Sequence, residues 1–170
     1  MKKVLALTLC LIAVLAAASC GGGNASEKKE TQSETANNQT SVAMGSDYDC
    51  KYFSMKIAQG WEAGPETYGM VNVLPKGQVS PGLYFKFEPN SLGTAEQSIE
   101  NMIKDYKGSP MKNVVIAGAQ FAATTYTYNN SPQTMYVAYY NGAKVTITIE
   151  GERAQDIPVF KAMLDTLELK

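Results

Sequence analysis

Residues 134–150 read TMYVAYYNGAKVTITIE. Asn141 and Gly142 stand at the middle of this stretch. Both tolerate positive φ, which a two-residue type I′ hairpin requires at each central position. Behind the turn, Val145, Ile147 and Ile149 alternate with Thr146, Thr148 and Glu150. That alternation is the mark of a half-buried strand. Ahead of the turn, Thr134 to Tyr140 is apolar or aromatic on both faces, which predicts a central strand. An antiparallel hairpin therefore anchors the fold.

The same reading extends in both directions. Phe121 to Tyr128 is the preceding strand, joined to the hairpin by an Asn129-Asn130-Ser131-Pro132 turn. Val114 and Ile116 lie in a strand before that. Further back, Thr94 and Gln97 form a capping box, and Ile99, Met102, Ile103 and Tyr106 follow at helical spacing. Gly108-Ser109-Pro110 ends this helix. Leu83, Phe85 and Phe87 alternate with Tyr84, Lys86 and Glu88. Tyr68 to Leu74 and Lys51 to Ile57 read as two earlier strands. Toward the C-terminus, a second helix is expected from about Ala154, with Pro158 in its first turn and Ile157, Phe160, Leu164 and Leu167 as its buried stripe. Strands, helix, strands and helix give an α+β domain, a mostly antiparallel sheet flanked by two main helices.

The N-terminal third is of a different kind. Met1-Lys2-Lys3 is basic, Val4 to Ala18 is apolar except for Thr8, and small residues follow. This is the pattern of a secretory signal, expected over residues 1–19. The run is shorter than the about 20 apolar residues a spanning helix needs. Ala17-Ala18-Ser19-Cys20 resembles the bacterial lipobox, with Ala17 where leucine is usual. The resemblance implies that the Cys20 sulfur takes a diacylglycerol group and that cleavage falls just before it. Two or three acyl chains hold a protein on a bilayer more firmly than one does. Residues 20–47 are then the lipidated cysteine and a disordered tether, GGGNASEKKETQSETANNQTSVAMGSD, without an aromatic ring. Too little apolar surface is available there to offset ordering entropy. As a coil, its roughly 27 residues span on the order of 30 Å. Residues 48–170 form the single folded domain. Gly21, rather than aspartate, after the cysteine resembles outer-membrane sorting, so the outer membrane is expected over the inner.

Within the domain, Tyr52-Phe53-Ser54-Met55-Lys56-Ile57-Ala58-Gln59-Gly60-Trp61 resembles the opening of PsbP-like and DcrB-like domains, with Ala58 where proline is usual. Thr94-Ala95-Glu96-Gln97, the Tyr136 to Ile149 hairpin and the closing helix ending in Leu164 to Leu169 extend the resemblance over nearly the whole domain. It implies an antiparallel sheet flanked by helices. It also implies a role as a lipoprotein of unassigned activity or as an accessory assembly subunit, and it brings no catalytic residues with it.

Composition narrows the chemistry. The chain has no histidine, which removes Ser-His-Asp and Cys-His catalysis and histidine-based zinc sites. Cys10 would leave with the signal and Cys20 would carry lipid, so Cys50 has no disulfide partner in the domain. Glu62 with Glu66, Glu96 with Glu100, and Glu150 with Glu152 are formal carboxylate pairs, and Lys104 one turn beyond Glu100 marks a solvated helix face. No cofactor, metal site or catalytic residue is expected. Of 15 basic and 16 acidic residues, removal of Lys2 and Lys3 leaves 13 and 16, a net of −3. No basic block remains for nucleic acid. The positive feature is tyrosine, with ten in the chain. Tyr126, Tyr128, Tyr136 and Tyr140 would share one face if the register allows, as an interaction surface or as rings packed beneath a helix. Trp61 follows a turn glycine and either plugs the end of the core or anchors a surface. The leading expectation is a non-enzymatic interaction or assembly module. It would be held on the membrane by lipid and would bind another envelope protein. A lipid- or peptide-binding lipoprotein is the alternative, and an enzyme comes third.

Overall fold

The computed structural model describes residues 41–150 and 157–170. The signal sequence, Cys20 and most of the tether lie outside them. So does the stretch from Ala154 where the second helix was expected to begin.

The strands are β1 (Met44–Asp49), β2 (Phe53–Ala58), β3 (Trp61–Ala63), β4 (Met70–Pro75), β5 (Leu83–Pro89), β6 (Ser109–Ile116), β7 (Ala119–Tyr128), β8 (Ser131–Tyr140), β9 (Ala143–Glu150) and β10 (Glu168–Leu169). Helix α1 (Ala95–Tyr106) lies between β5 and β6, and α2 (Pro158–Leu164) between β9 and β10. Seven strands form one antiparallel sheet in the order β3-β4-β5-β9-β8-β7-β6, and β1-β2-β10 form a second. The expected α+β architecture, antiparallel sheet with two helices, is the one observed.

Turn chemistry shapes the large sheet. Asn141 and Gly142 adopt φ of 47° and 78°, as a type I′ hairpin demands. Asn129 and Asn130 do the same, at 49° and 61°. Tyr128 faces Ser131 across that turn, so it closes in two residues and not in the four expected. Ser131 and Pro132 are ladder residues. Pro132 lies opposite Thr127, one step beyond the last β9 pair, Gln133 with Glu150.

Each face of the large sheet has its own cover. On one face, Phe85, Phe87, Phe121, Ile147 and Ile149 pack against Phe53, Met55 and Ile57 of β2 and against Phe160 and Met163 of α2. The Phe53 and Phe85 rings stack at 4.4 Å. On the other face, α1 sets Ile99 onto Ala122 and Val137. The capping box predicted for α1 is present, with the Gln97 N–H donating to Thr94 Oγ1 at 3.2 Å and the Thr94 N–H donating to Gln97 Oε1 at 3.0 Å. At the end of α2, Thr166 Oγ1 donates to the Met163 carbonyl and accepts from the Lys56 N–H at 2.9 Å, tying the helix to β2.

Several boundaries differ from expectation: β6 begins at Ser109 and not at Val114, and Trp61 opens the short β3. Strand β1 starts at Met44, inside the stretch assigned to the tether, because Met44–Asp49 pairs with β2 and needs no apolar run of its own. Tyr68 is in a turn, with φ of 52° and its ring 93% exposed. Leu167 lies beyond α2, buried in the turn into β10.

Candidate functional site

Side chains alternate across a strand, so register decides which tyrosines meet. Tyr136 pairs with Ala123, and Tyr126 pairs with Gln133. Tyr136 and Tyr140 therefore face the sandwich core, while Tyr126 and Tyr128 face the α1 side. The four tyrosines do not share one face. Tyr136 is only 2% exposed and belongs to the core. Tyr140 is half-buried beside the β8–β9 turn. Trp61 is half-buried in β3 and meets Phe160 edge-on at 5.3 Å, closing one end of the core. Cys20 lies outside the described residues.

Tyr126 and Tyr128 gain a partner that the strand pattern did not reveal. Tyr106, the last residue of α1, sets its ring 5.5 Å from Tyr126 and 5.9 Å from Tyr128. Read as part of the helical stripe, Tyr106 gave no sign of this. The hint lay two residues on, at Gly108. The N–H groups of Lys107 and Gly108 both bond to the Ile103 carbonyl, with Lys107 left-handed at φ 53°. A Cβ on Gly108 would lie 2.8 Å from the Thr125 carbonyl oxygen. Glycine is what allows the end of α1 to press onto β7, and that contact aligns the three rings.

The result is a strip of three rings at the end of the sheet. Tyr106, which meets both of the others, is 41% exposed, Tyr128 is 50% exposed and Tyr126 is half-buried. Burial pushes the Tyr126 hydroxyl above its ordinary range, neighbouring Tyr106 and Tyr128 add to this, and a hydrogen bond with Thr148 opposes it. Polar groups continue the strip. Glu150 accepts from Tyr84 and from Ser131, each at 3.2 Å. Burial and the Glu150 charge hold the Tyr84 hydroxyl protonated to higher pH. Further along, Glu88 bridges Lys86 and Lys144 at 2.9 and 2.7 Å. Burial pushes its carboxyl up, but bonds from Lys144 and Lys86 outweigh that and hold it below the ordinary carboxylate value.

On this geometry the domain can be set beside known structures. It is similar to the solution structure of cyanobacterial PsbP (CyanoP) from Synechocystis sp. PCC 6803, with a TM-score of 0.52 and 13% identity over 78% of this chain and 96% of that one. The fold is PsbP-like. A crystal structure from Bacteroides thetaiotaomicron VPI-5482 is a weaker match, with a TM-score of 0.43 and 13% identity over 69% of this chain and 45% of that one. No protein-family model and no curated protein matches the chain in sequence. At such identity the PsbP-like likeness speaks of architecture only.

Two of the carboxylates named from sequence, Glu66 and Glu150, hold structural posts, and Glu152 lies outside the described residues. Glu66 accepts the Gly69 N–H at 2.8 Å across a tight turn, and Glu150 holds Tyr84 and Ser131. Among the described residues no group of three or more Cys, Asp or Glu is placed to hold a metal ion. No helix among them is long and apolar enough to cross a membrane.

Proposed function

We propose that the protein is a lipid-anchored, non-enzymatic module of a bacterial cell envelope. It docks another envelope protein through the strip formed by Tyr106, Tyr126 and Tyr128. The observation that carries this reading is the strip itself, in which the Tyr106 ring meets both Tyr126 and Tyr128 and the group is left partly open to solvent at the end of the sheet. Tyrosine gives large contact area at low entropic cost and is enriched where proteins meet. The anchor rests on Ala17-Ala18-Ser19-Cys20 and the glycine-rich segment after it. The non-enzymatic reading is supported by the missing histidine and by the structural posts of Glu66 and Glu150. A lipid or peptide carrier would keep its cavity between the layers, and the rings of Phe53, Phe85, Phe121 and Phe160 fill that space.

Photo-crosslinking in cells tests the docking strip. A benzophenone side chain at Tyr128 should give one dominant protein adduct, and Tyr106→Ala should abolish it. A probe at Leu92, which is 96% exposed just ahead of the N-terminal end of α1, the end opposite Tyr106, should not give that adduct. Equal adducts from both positions would defeat the proposal. Cys20→Ser should abolish incorporation of labelled palmitate, and retained label would remove Cys20 as the lipid acceptor.

A further inference from the structure

At the other end of β8 from the tyrosine strip, a cleft of about 300 Å³ opens beside the β8–β9 turn. Its apolar floor is Phe87, Val145 and Leu169, and the half-buried Tyr140 stands at its side. Two turns meet at its rim. Asn90 and Asn141 both adopt left-handed φ, 57° and 47°, and the Asn90 N–H donates to the Gly142 carbonyl at 3.1 Å. That bond fixes the two asparagines relative to each other.

The cleft carries two lysines, of which Lys170 is ion-paired and Lys51 stands over an aromatic ring. Lys170 Nζ pairs with the Asp49 carboxylate and donates to the Cys50 carbonyl. Lys51 Nζ sits 5.2 Å from the centroid of the Tyr52 ring, which is itself stacked on Phe87 at 4.8 Å. No Asp or Glu side chain lines the cleft. Beside Lys51, the open polar groups are neutral: the amides of Asn90 and Asn141 and the hydroxyls of Tyr52 and Tyr140, none with a hydrogen-bond partner among the described residues. Each amide offers two donors and one acceptor oxygen, the complement of neighbouring hydroxyl groups. An apolar and aromatic floor beneath neutral amides and phenols suits a ring with one C–H face and a hydroxylated rim. No carboxylate side chain is there to hold a cation, and the cleft's one ammonium group without a carboxylate partner among the described residues, that of Lys51, is turned over the Tyr52 ring. The volume lies at the low end for small-molecule sites.

We propose that this cleft binds a neutral saccharide, one or two pyranose units of a glycan. The ring's apolar face would lie against the half-buried Tyr52, Tyr140 and Leu169, and its hydroxyls would meet Asn90 and Asn141. The site is separate from the docking strip, and neither test bears on the other.

Titration of the ¹⁵N-labelled full chain with a panel of neutral hexoses and N-acetylhexosamines tests it, with glucuronate and inorganic phosphate as charged probes. At least one neutral sugar should shift the Asn90, Asn141 and Gly142 signals saturably, and phosphate should not. Asn90→Gly and Asn141→Gly keep the left-handed turns, where glycine is unstrained. Each should weaken binding about tenfold by removing hydrogen bonds. The site is overturned if no neutral sugar shifts these signals at tens of millimolar. It is also overturned if phosphate or glucuronate binds there more tightly than the neutral sugars, or if the glycine variants bind as well as the parent.

Discussion

Tyr126 shows how one side chain carries both packing and titration. Burial and the nearby phenols raise its hydroxyl above the ordinary value of 10.0. The folded state then holds the proton more tightly than the unfolded chain does. The stability this contributes is complete below the unfolded value and is lost as pH rises through the folded one. Urea midpoints measured from about pH 9 to about pH 11 should therefore fall, and Tyr126→Phe should flatten the fall. Thr134 presents the opposite case. It is fully buried, and its hydroxyl has no partner among the described residues. Thr134→Val keeps the shape and removes the unsatisfied group, so it should stabilise the fold by about 1 kcal/mol, read by urea denaturation. The sequence showed that tyrosines crowd β7 and β8 but not which of them meet. One step of register moves a side chain to the other face, and here it sends Tyr136 into the core and leaves Tyr126 beneath the helix.

Among the elements, those with local signals were legible. Thr94 with Gln97 announced the start of α1, and Asn141-Gly142 announced the hairpin, because both act within a few residues. Strands β1 and β10 were not legible. Met44–Asp49 is mostly polar, and Glu168–Leu169 is two residues long, so only pairing with β2 makes either a strand. Tyr106 was recognised as helical, yet its meeting with Tyr126 depends on Gly108 two residues later. Gly108→Ala places a Cβ 2.8 Å from the Thr125 carbonyl, which forces the end of α1 away from β7. That substitution should cost about 1–3 kcal/mol, the range for overpacking. It should also weaken the adduct formed from Tyr128, as crosslinking would report.

For the molecule as a whole, the α+β class followed from element order, while the division into layers did not. Nothing in the apolar alternation of Phe53-Ser54-Met55-Lys56-Ile57 says that β2 leaves the large sheet and lies across it. Phe53 is central to that layering. It is fully buried, stacked on Phe85 and 5.6 Å from Phe87. Phe53→Ala should destabilise the domain by about 3–5 kcal/mol, measured as the shift in chemical unfolding. The loss should exceed that of any change in the exposed tyrosine strip, because Phe53 is fully buried where β2 and α2 close that face.

The small sheet also sets how the domain bears load. A pull on the chain ahead of Met44 enters at the end of β1, an edge strand held by β2 alone and irregular between Met44 and Asp47. Applied there, the force loads the ladder bonds one after another, as in opening a zipper. The first strand would peel away at low tension, lengthening the leash and leaving the seven-stranded sheet untouched. With the N-terminal segment anchored and the tyrosine strip docked as proposed, β1 would act as a mechanical fuse, a shock absorber between the two attachments.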